Sequence, residues 1–397
     1  MPDRRWRWGL SVGAGVVAVG IMAFMWTVSE PRQLLSDFKK AYYPAGALVL
    51  NNPAGLYSVF PPKFVNIPIV AWLFTPLSLL SRPLAGRIFT ALGLAAVGLA
   101  CYGLITLTRV AGWKRAAVAG LFIINGPLYN SLREGNLTHF VLLIVCAALW
   151  CLEKNRETGA GALLAIAGVL KPPLVLLAAP FLLRRRWRIV AGFGVTVAGI
   201  AGLSLAMFGL ETHRAWWAHC VQPFAGRPLG AFNVQSVDGV LARLLTGSAH
   251  LEDWSPITTL GPAFAAIRAI VVALLVGASA WVCLRAGRPA TAAEERLECA
   301  IALCLALLIS PITWTHYYLL LLLPVALHLG GGLAVPAGRG WSALLGLAVA
   351  LISLPVTEPS AAGSPVSELL ISRYFIGGAL LLGLFVAARW RGVPHVH

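Results

Sequence analysis

Ser36 to Tyr57 reads SDFKKAYYPAGALVLNNPAGLY. The stretch follows an apolar run and is not itself a membrane span. It carries Asp37, then a polar and aromatic surface from Lys39, Lys40, Tyr42 and Tyr43, then an Asn-Asn-Pro turn and Tyr57. Almost everything around it is apolar enough to sit in lipid. Of 397 residues, 58% are hydrophobic and 12% charged, with a mean hydropathy of +0.79. Soluble domains carry about twice that share of charge. The chain reads as an all-α polytopic membrane protein, in which a carboxylate just past the end of a membrane helix is a scarce group. The local alternative for Asp37, or for Ser36 beside it, is an N-cap that starts a surface helix.

The net charge is +16. The basic residues lie mainly in short loops between apolar runs, where they orient helices and meet anionic headgroups, so nucleic acid is not the expected partner. Six of the seven cysteines lie within or at the ends of apolar runs and Cys220 stands alone; there is no CxxC, disulfide frame or zinc spacing. MPDRRWRW before Gly9–Val28 has the charge order of a signal peptide. The apolar run is about twenty residues, long enough to span, and no A-x-A site follows. An uncleaved first span starting in the cytoplasm is expected.

Apolar runs fall at 9–28, 64–80, 85–108, 116–131, 136–152, 159–183, 189–208, 264–284, 298–312, 316–333, 341–356 and 369–388. Two are ambiguous. The 64–80 run is short and holds Pro68 and Pro76; the 159–183 run is interrupted by Lys171-Pro172-Pro173. Proline lacks a backbone donor and disfavours helix in the residue before it. In one topology 64–80 spans and 159–183 is a single kinked helix. In the other 64–80 lies at the outer surface or re-enters, and 159–183 is a pair of short helices. The second places Arg109, Lys114, Arg115, Lys154 and Arg156 in the cytoplasm, as the positive-inside rule favours. Both give about 12 spans. The expected organisation is a catalytic transmembrane module over 1–208 with an outer loop at 29–84, a second outer loop at 209–259, and C-terminal helices over 260–397.

The second topology brings Arg133, Glu134, Asn136 and Lys171 to the face that carries Asp37. A half-helix of about twelve residues covers ~18 Å of a ~30 Å hydrocarbon core, which leaves Lys171 recessed. An ionisable group at that depth is a functional candidate, with snorkelling to the headgroups as the alternative. In the 209–259 loop, His213 and His219 are six apart and do not share a helix face, so no metal site is read there. SPITWTHYY places His316 beside Trp314, Tyr317 and Tyr318 at a turn, a credible phosphate or sugar contact, although a lone histidine is more often a packing residue. No Walker, Rossmann, zincin or G-x-S-x-G motif occurs at usable spacing, and no soluble nucleotide-binding domain exists.

These residues suit transfer from a lipid-phosphate sugar. Such chemistry needs a carboxylate near the membrane surface to take a proton from an acceptor hydroxyl. It also needs cations around the leaving phosphate and a greasy groove for the lipid tail. Asp37 supplies the first; Lys171, Arg133 and His316 are candidates for the second, with Tyr42 and Tyr43 as sugar contacts. No metal or cofactor is required if Lys and Arg neutralise the phosphate. Lys39 and Lys40 are expected to lower the Asp37 pKa.

The order of motifs resembles glycosyltransferase family 87, the polyprenol-phosphate-dependent mannosyl- and arabinofuranosyltransferases of the GT-C superfamily. The matching pieces are SDFKKAYYPAGALVL, LYSVFPPKFVNIP, REGNLTHFVLL, VLKPPLVLLAAPFLLRRRW, FNVQSVDGVLARLL and SPITWTHYYLLLLLP, from residue 36 to about 324. The resemblance implies a GT-C-type helix bundle with juxtamembrane helices in the first outer loop and Asp37 as the base. It implies that Lys171 lies near the donor phosphate, and that Asn136, Asn233, Gln235 and His316 line an outer cavity. It further implies an inverting transferase of the cytoplasmic membrane, facing outward, that uses a polyprenyl-phosphate sugar and a glycolipid or glycan acceptor. Two departures are visible. Glu134 precedes Gly135-Asn136 where the family often has Gly-Gln, and Val65-Asn66 stands where an aromatic-rich Tyr-Pro-Pro run is common. A transporter or lipid flippase is the alternative, and a non-enzymatic assembly partner the third reading; Lys171-Pro172-Pro173 is the one broken helix, with no matched half.

Overall fold

The computed structural model describes residues 34–58, 63–355 and 370–392. The expected first span at 9–28, and Phe60, Pro61 and Pro62, lie outside the described residues. The described chain is all-helical, with no strand and one isolated antiparallel bridge, Val234 to Trp314. Among the described residues four helices have the length and apolarity to cross a bilayer: Arg82–Thr108, the helix that begins at Trp187, Pro262–Arg285 and Arg373–Arg391. Shorter apolar helices are Thr138–Glu153, Glu157–Leu170, Pro172–Leu183, Thr315–Leu329 and Arg339–Ser353.

Proline sets most of the interruptions. The 159–183 run ends its first helix at Lys171, whose backbone is extended at φ −138° and ψ 91°. Pro172 and Pro173 follow, and the chain continues as tight 3₁₀ turns over Pro172–Ala178. The 64–80 run forms Pro68–Trp72 and Thr75–Ser78, neither long enough to cross a bilayer. The 116–131 run departs from its expected single helix. Trp113–Ile124 ends at an extended Asn125, and Gly126–Glu134 begins afresh because Pro127 cannot donate back into the preceding turn.

The fold has two compact units, each assembled from separate stretches of chain. Of the described residues the first comprises 34–58, 63–103, 128–172 and 187–225. Its helices Glu157–Leu170 and Trp187–Trp216 approach through glycines: a Cβ on Gly161 would stand 2.0 Å from the Ile189 carbonyl oxygen, and one on Gly192 2.3 Å from that of Thr158. Small residues permit this contact between backbones, the main attraction available where lipid is as apolar as the side chains. Beside these helices Phe38 stacks on Phe89 with centroids 4.6 Å apart, and Tyr42 on Phe74 at 4.6 Å. Phe38 is fully buried, so the residue after Asp37 anchors the whole Ser36–Tyr57 stretch.

Of the described residues the second unit comprises 104–127, 173–186, 226–355 and 370–392. Its main polar anchor is Glu298, read in the sequence only as the start of an apolar run. Arg184 donates to both Glu298 oxygens and Arg389 Nε donates to Oε1 at 3.0 Å. Arg184 also donates to the Cys283 carbonyl at 2.6 Å and Arg389 to that of Gly287 at 3.0 Å. One buried carboxylate and its two arginines thus join four chain segments, and each charge in the cluster is hydrogen-bonded as burial demands.

Candidate active site

The site in the first unit begins with a wide turn. Phe38–Tyr42 is π-helical, closed by the Tyr43 N–H donating to the Phe38 carbonyl. Pro44 has no N–H to give the Lys40 carbonyl, which removes the α-helical bond that would tighten this turn. Asp37 stands at its start, but its side chain does not cap the helix. Its carboxylate instead accepts from Asn136 Nδ2 at 2.8 Å. Asn136 Oδ1 accepts from Lys171 Nζ at 2.9 Å, from Thr138 Oγ1 at 2.7 Å and from the Thr138 N–H at 3.1 Å. Lysine can only donate, so the amide oxygen faces Lys171 and the amide nitrogen faces Asp37. The result is a cation, an oriented amide and a carboxylate in a row.

Two further contacts clamp the Asp37 segment onto the end of the Gly126–Glu134 helix. The Leu35 N–H donates to the Arg133 carbonyl at 2.6 Å, and Ser36 Oγ donates to the Glu134 carboxylate. Gly135 allows this approach. Its φ is +68°, and a Cβ there would stand 2.9 Å from Phe38 Cβ and 3.1 Å from Leu35 Cδ2. Gly135→Ala is expected to displace the Asp37 segment, and were Asp37 a catalytic group a shift of about 1 Å would slow the reaction by ~10- to 100-fold. Left-handed strain costs about 1–2 kcal/mol and the contacts with Phe38 and Leu35 add to it, so thermal unfolding is expected to fall as well; an unchanged rate would show that the clamp does not position Asp37.

Burial pushes the Asp37 pKa above its ordinary value, opposed by the Asn136 hydrogen bond, then by the charges of Lys171 and Lys40. The sequence expectation of a lowered value is therefore corrected: removal from water outweighs the nearby lysines. Burial also raises Glu134, which the Ser36 hydrogen bond opposes and the Asp37 charge reinforces.

Other expected site residues are placed as follows. Arg133 lies in the last turn of the helix that carries Glu134. Tyr42 is packed in the aromatic cluster, with Phe64 at its edge. The Tyr43 hydroxyl donates to the Leu80 carbonyl at 2.8 Å, with the Arg82 guanidinium over its ring. In the second unit, Asn233 and Gln235 flank the Val234–Trp314 bridge. Gln235 Nε2 donates to the Phe232 and Ile371 carbonyls and Oε1 accepts from the Phe375 N–H, so its amide is engaged by the fold. Asn233 Oδ1 accepts from Trp254 Nε1 at 3.0 Å. His316 is buried, with its ring tilted against Tyr317. Asp238, an acidic residue of the same loop region, is gripped by Arg268 Nε at 2.7 and 2.8 Å. Ser36, read in the sequence as an alternative N-cap, instead donates to Glu134, and Thr138 is a polar contact that no sequence signal marked, although it lies inside a quoted motif.

The model of glycosyltransferase family 87 matches residues 64–311, more than half of the chain. This chain belongs to glycosyltransferase family 87. It is a membrane glycosyltransferase. As a family 87 member it carries Asn136 and Lys171 inside the matched region, with Asp37 preceding it. The chain is 26% identical over 356 residues to the polyprenol-phosphate-mannose-dependent alpha-(1-2)-phosphatidylinositol pentamannoside mannosyltransferase of Mycolicibacterium smegmatis, covering 84% of this chain and 80% of that protein. It is 27% identical over 361 residues to the protein of the same description from Mycobacterium tuberculosis, covering 85% and 75%. A polyprenol-phosphate-mannose-dependent alpha-(1-2)-phosphatidylinositol mannoside mannosyltransferase of Mycolicibacterium smegmatis is 26% identical over 281 residues, covering 65% and 60%.

Proposed function

We propose that this family 87 enzyme transfers mannose from a polyprenyl-phosphate donor to a glycolipid acceptor, with inversion, and that Asp37 is the general base. The observation that carries this is the row Asp37–Asn136–Lys171, which sets a carboxylate and a recessed cation either side of one amide. The acceptor hydroxyl attacks the anomeric carbon from the face opposite the phosphate. The new C–O bond forms as the bond to phosphate breaks, the electron pair leaves on the polyprenyl phosphate, and Asp37 takes the hydroxyl proton. Lys171, with Arg133, neutralises charge on the departing phosphate. The printed names of the relatives support a mannose donor and a phosphatidylinositol mannoside acceptor. In the same reading about 12 spans cross the cytoplasmic membrane, with residues 29–84 and 209–259 outside.

Purified enzyme given a β-linked polyprenyl-phosphate mannose and a phosphatidylinositol mannoside is expected to yield an α-linked product, read by NMR of the anomeric centre. A β-linked product would remove the one-step mechanism. Transfer from a different polyprenyl-phosphate sugar but not from mannose would remove the donor assignment.

A further inference from the structure

Asn136 and Thr138 are both buried, at 4% and 0% exposure. Three donors converge on Asn136 Oδ1, and two of them come from Thr138, at the start of the Thr138–Glu153 helix. The third is Lys171, the one donor of the three that an incoming phosphate would attract. The torsion that orients an asparagine amide is broad and roughly two-fold, so an amide held only by Lys171 would be free to turn once the ammonium shifted. Turning it would set the amide oxygen against the Asp37 carboxylate, acceptor against acceptor.

Building on the assignments of Asp37 as base and Lys171 as the donor-phosphate group, we propose that Asn136, locked by Thr138, is a positioning residue that keeps Asp37 oriented and ionised while Lys171 engages the donor phosphate. Asn136 is neutral, so its removal deletes a hydrogen bond to Asp37 without changing the net charge of the site. The charged groups around Asp37 are Lys171, Lys40 on its own turn and Glu134 opposite, with Arg133 beside Glu134. All four remain in the variants below.

The test is a pair of pH–rate profiles. The profile of kcat/KM reports the free enzyme and that of kcat the loaded enzyme. Asn136→Ala is expected to move the acid limb upward in both, by roughly one pH unit, because a hydrogen bond to the charged form is lost. Thr138→Val keeps the side-chain shape and removes the shorter of the two Thr138 bonds, leaving the amide oxygen with only the 3.1 Å backbone N–H once Lys171 turns to the phosphate. It is expected to move the limb of kcat alone, since Lys171 still holds the amide when no donor is bound. Limbs unmoved in both variants, or moved equally in both profiles by Thr138→Val, would overturn the proposal. If Asn136→Ala does not fold, Thr138→Val decides alone. Asp37→Asn, measured alongside, separates the two levels. If that variant turns over normally, the base assignment itself has failed; if it is inactive and the other limbs stay still, only the positioning role has failed.

Discussion

Purified Asp37→Asn enzyme is expected to transfer sugar at least a hundredfold more slowly, within the ~10²–10⁴ range typical when a general base is removed. The substitution keeps the size of the side chain and an oxygen that can accept from Asn136, so it tests the charge rather than the fold. The Asp37 side chain makes no helix-capping bond that the change would forfeit. In the unaltered enzyme activity should fall as pH drops through the Asp37 pKa, because the protonated carboxyl cannot take the acceptor proton. Burial raises that limb from the ordinary carboxylate value, with Asn136, Lys171 and Lys40 pulling against it. A near-normal rate for Asp37→Asn would end the assignment. Glu134 would then stand next, since Ser36 donates to it, whereas Asp238 is gripped by the Arg268 guanidinium.

Lys171→Ala is expected to raise the barrier by ~2–4 kcal/mol, the usual loss when one charge-stabilising contact to a leaving group is removed. In rate this is roughly 30- to 1,000-fold in kcat/KM for the lipid-phosphate sugar. Lys171→Arg should recover only part of it, since a guanidinium is planar and larger than an ammonium. The alternative of a lysine that merely reaches for headgroups makes a different forecast, a normal rate in Lys171→Ala. The structure argues against it: Lys171 is 4% exposed and donates to the Asn136 amide. Loss of Lys171 should also move the Asp37 acid limb upward, since its charge favours the carboxylate. Thermal unfolding of the detergent-purified variant, measured in parallel, distinguishes a chemical defect from a collapsed site.

The sequence by itself determined what depends on composition and on local backbone chemistry. Its scarcity of charge and its apolar runs fix a helical membrane protein, since only structures that satisfy their own backbone survive in lipid. Pro172 and Pro173 end a helix at Lys171 wherever that segment sits, because the missing donors are a covalent fact. The same kind of signal at Gly126-Pro127 was available and separates 116–131 into two helices, although hydropathy ran straight through it. The motif order around Asp37, REGNLTH and VLKPP carries the family 87 resemblance in the sequence itself.

Only the tertiary structure decided which polar groups meet. Asp37 and Asn136 are 99 residues apart and Asn136 and Lys171 are 35 apart, so no helical or strand period relates them. Glu298 looked like a charge at the edge of an apolar run; folding puts it between Arg184 and Arg389, 114 and 91 residues away. Gln235 and Tyr43 had the right chemistry for sugar contacts, yet the fold engages the Gln235 amide and the Tyr43 hydroxyl with backbone groups. The direction of the Asp37 shift followed the same logic. Nearby lysines are visible in sequence, but the loss of water around a carboxylate is a property of packing, and here packing outweighs them.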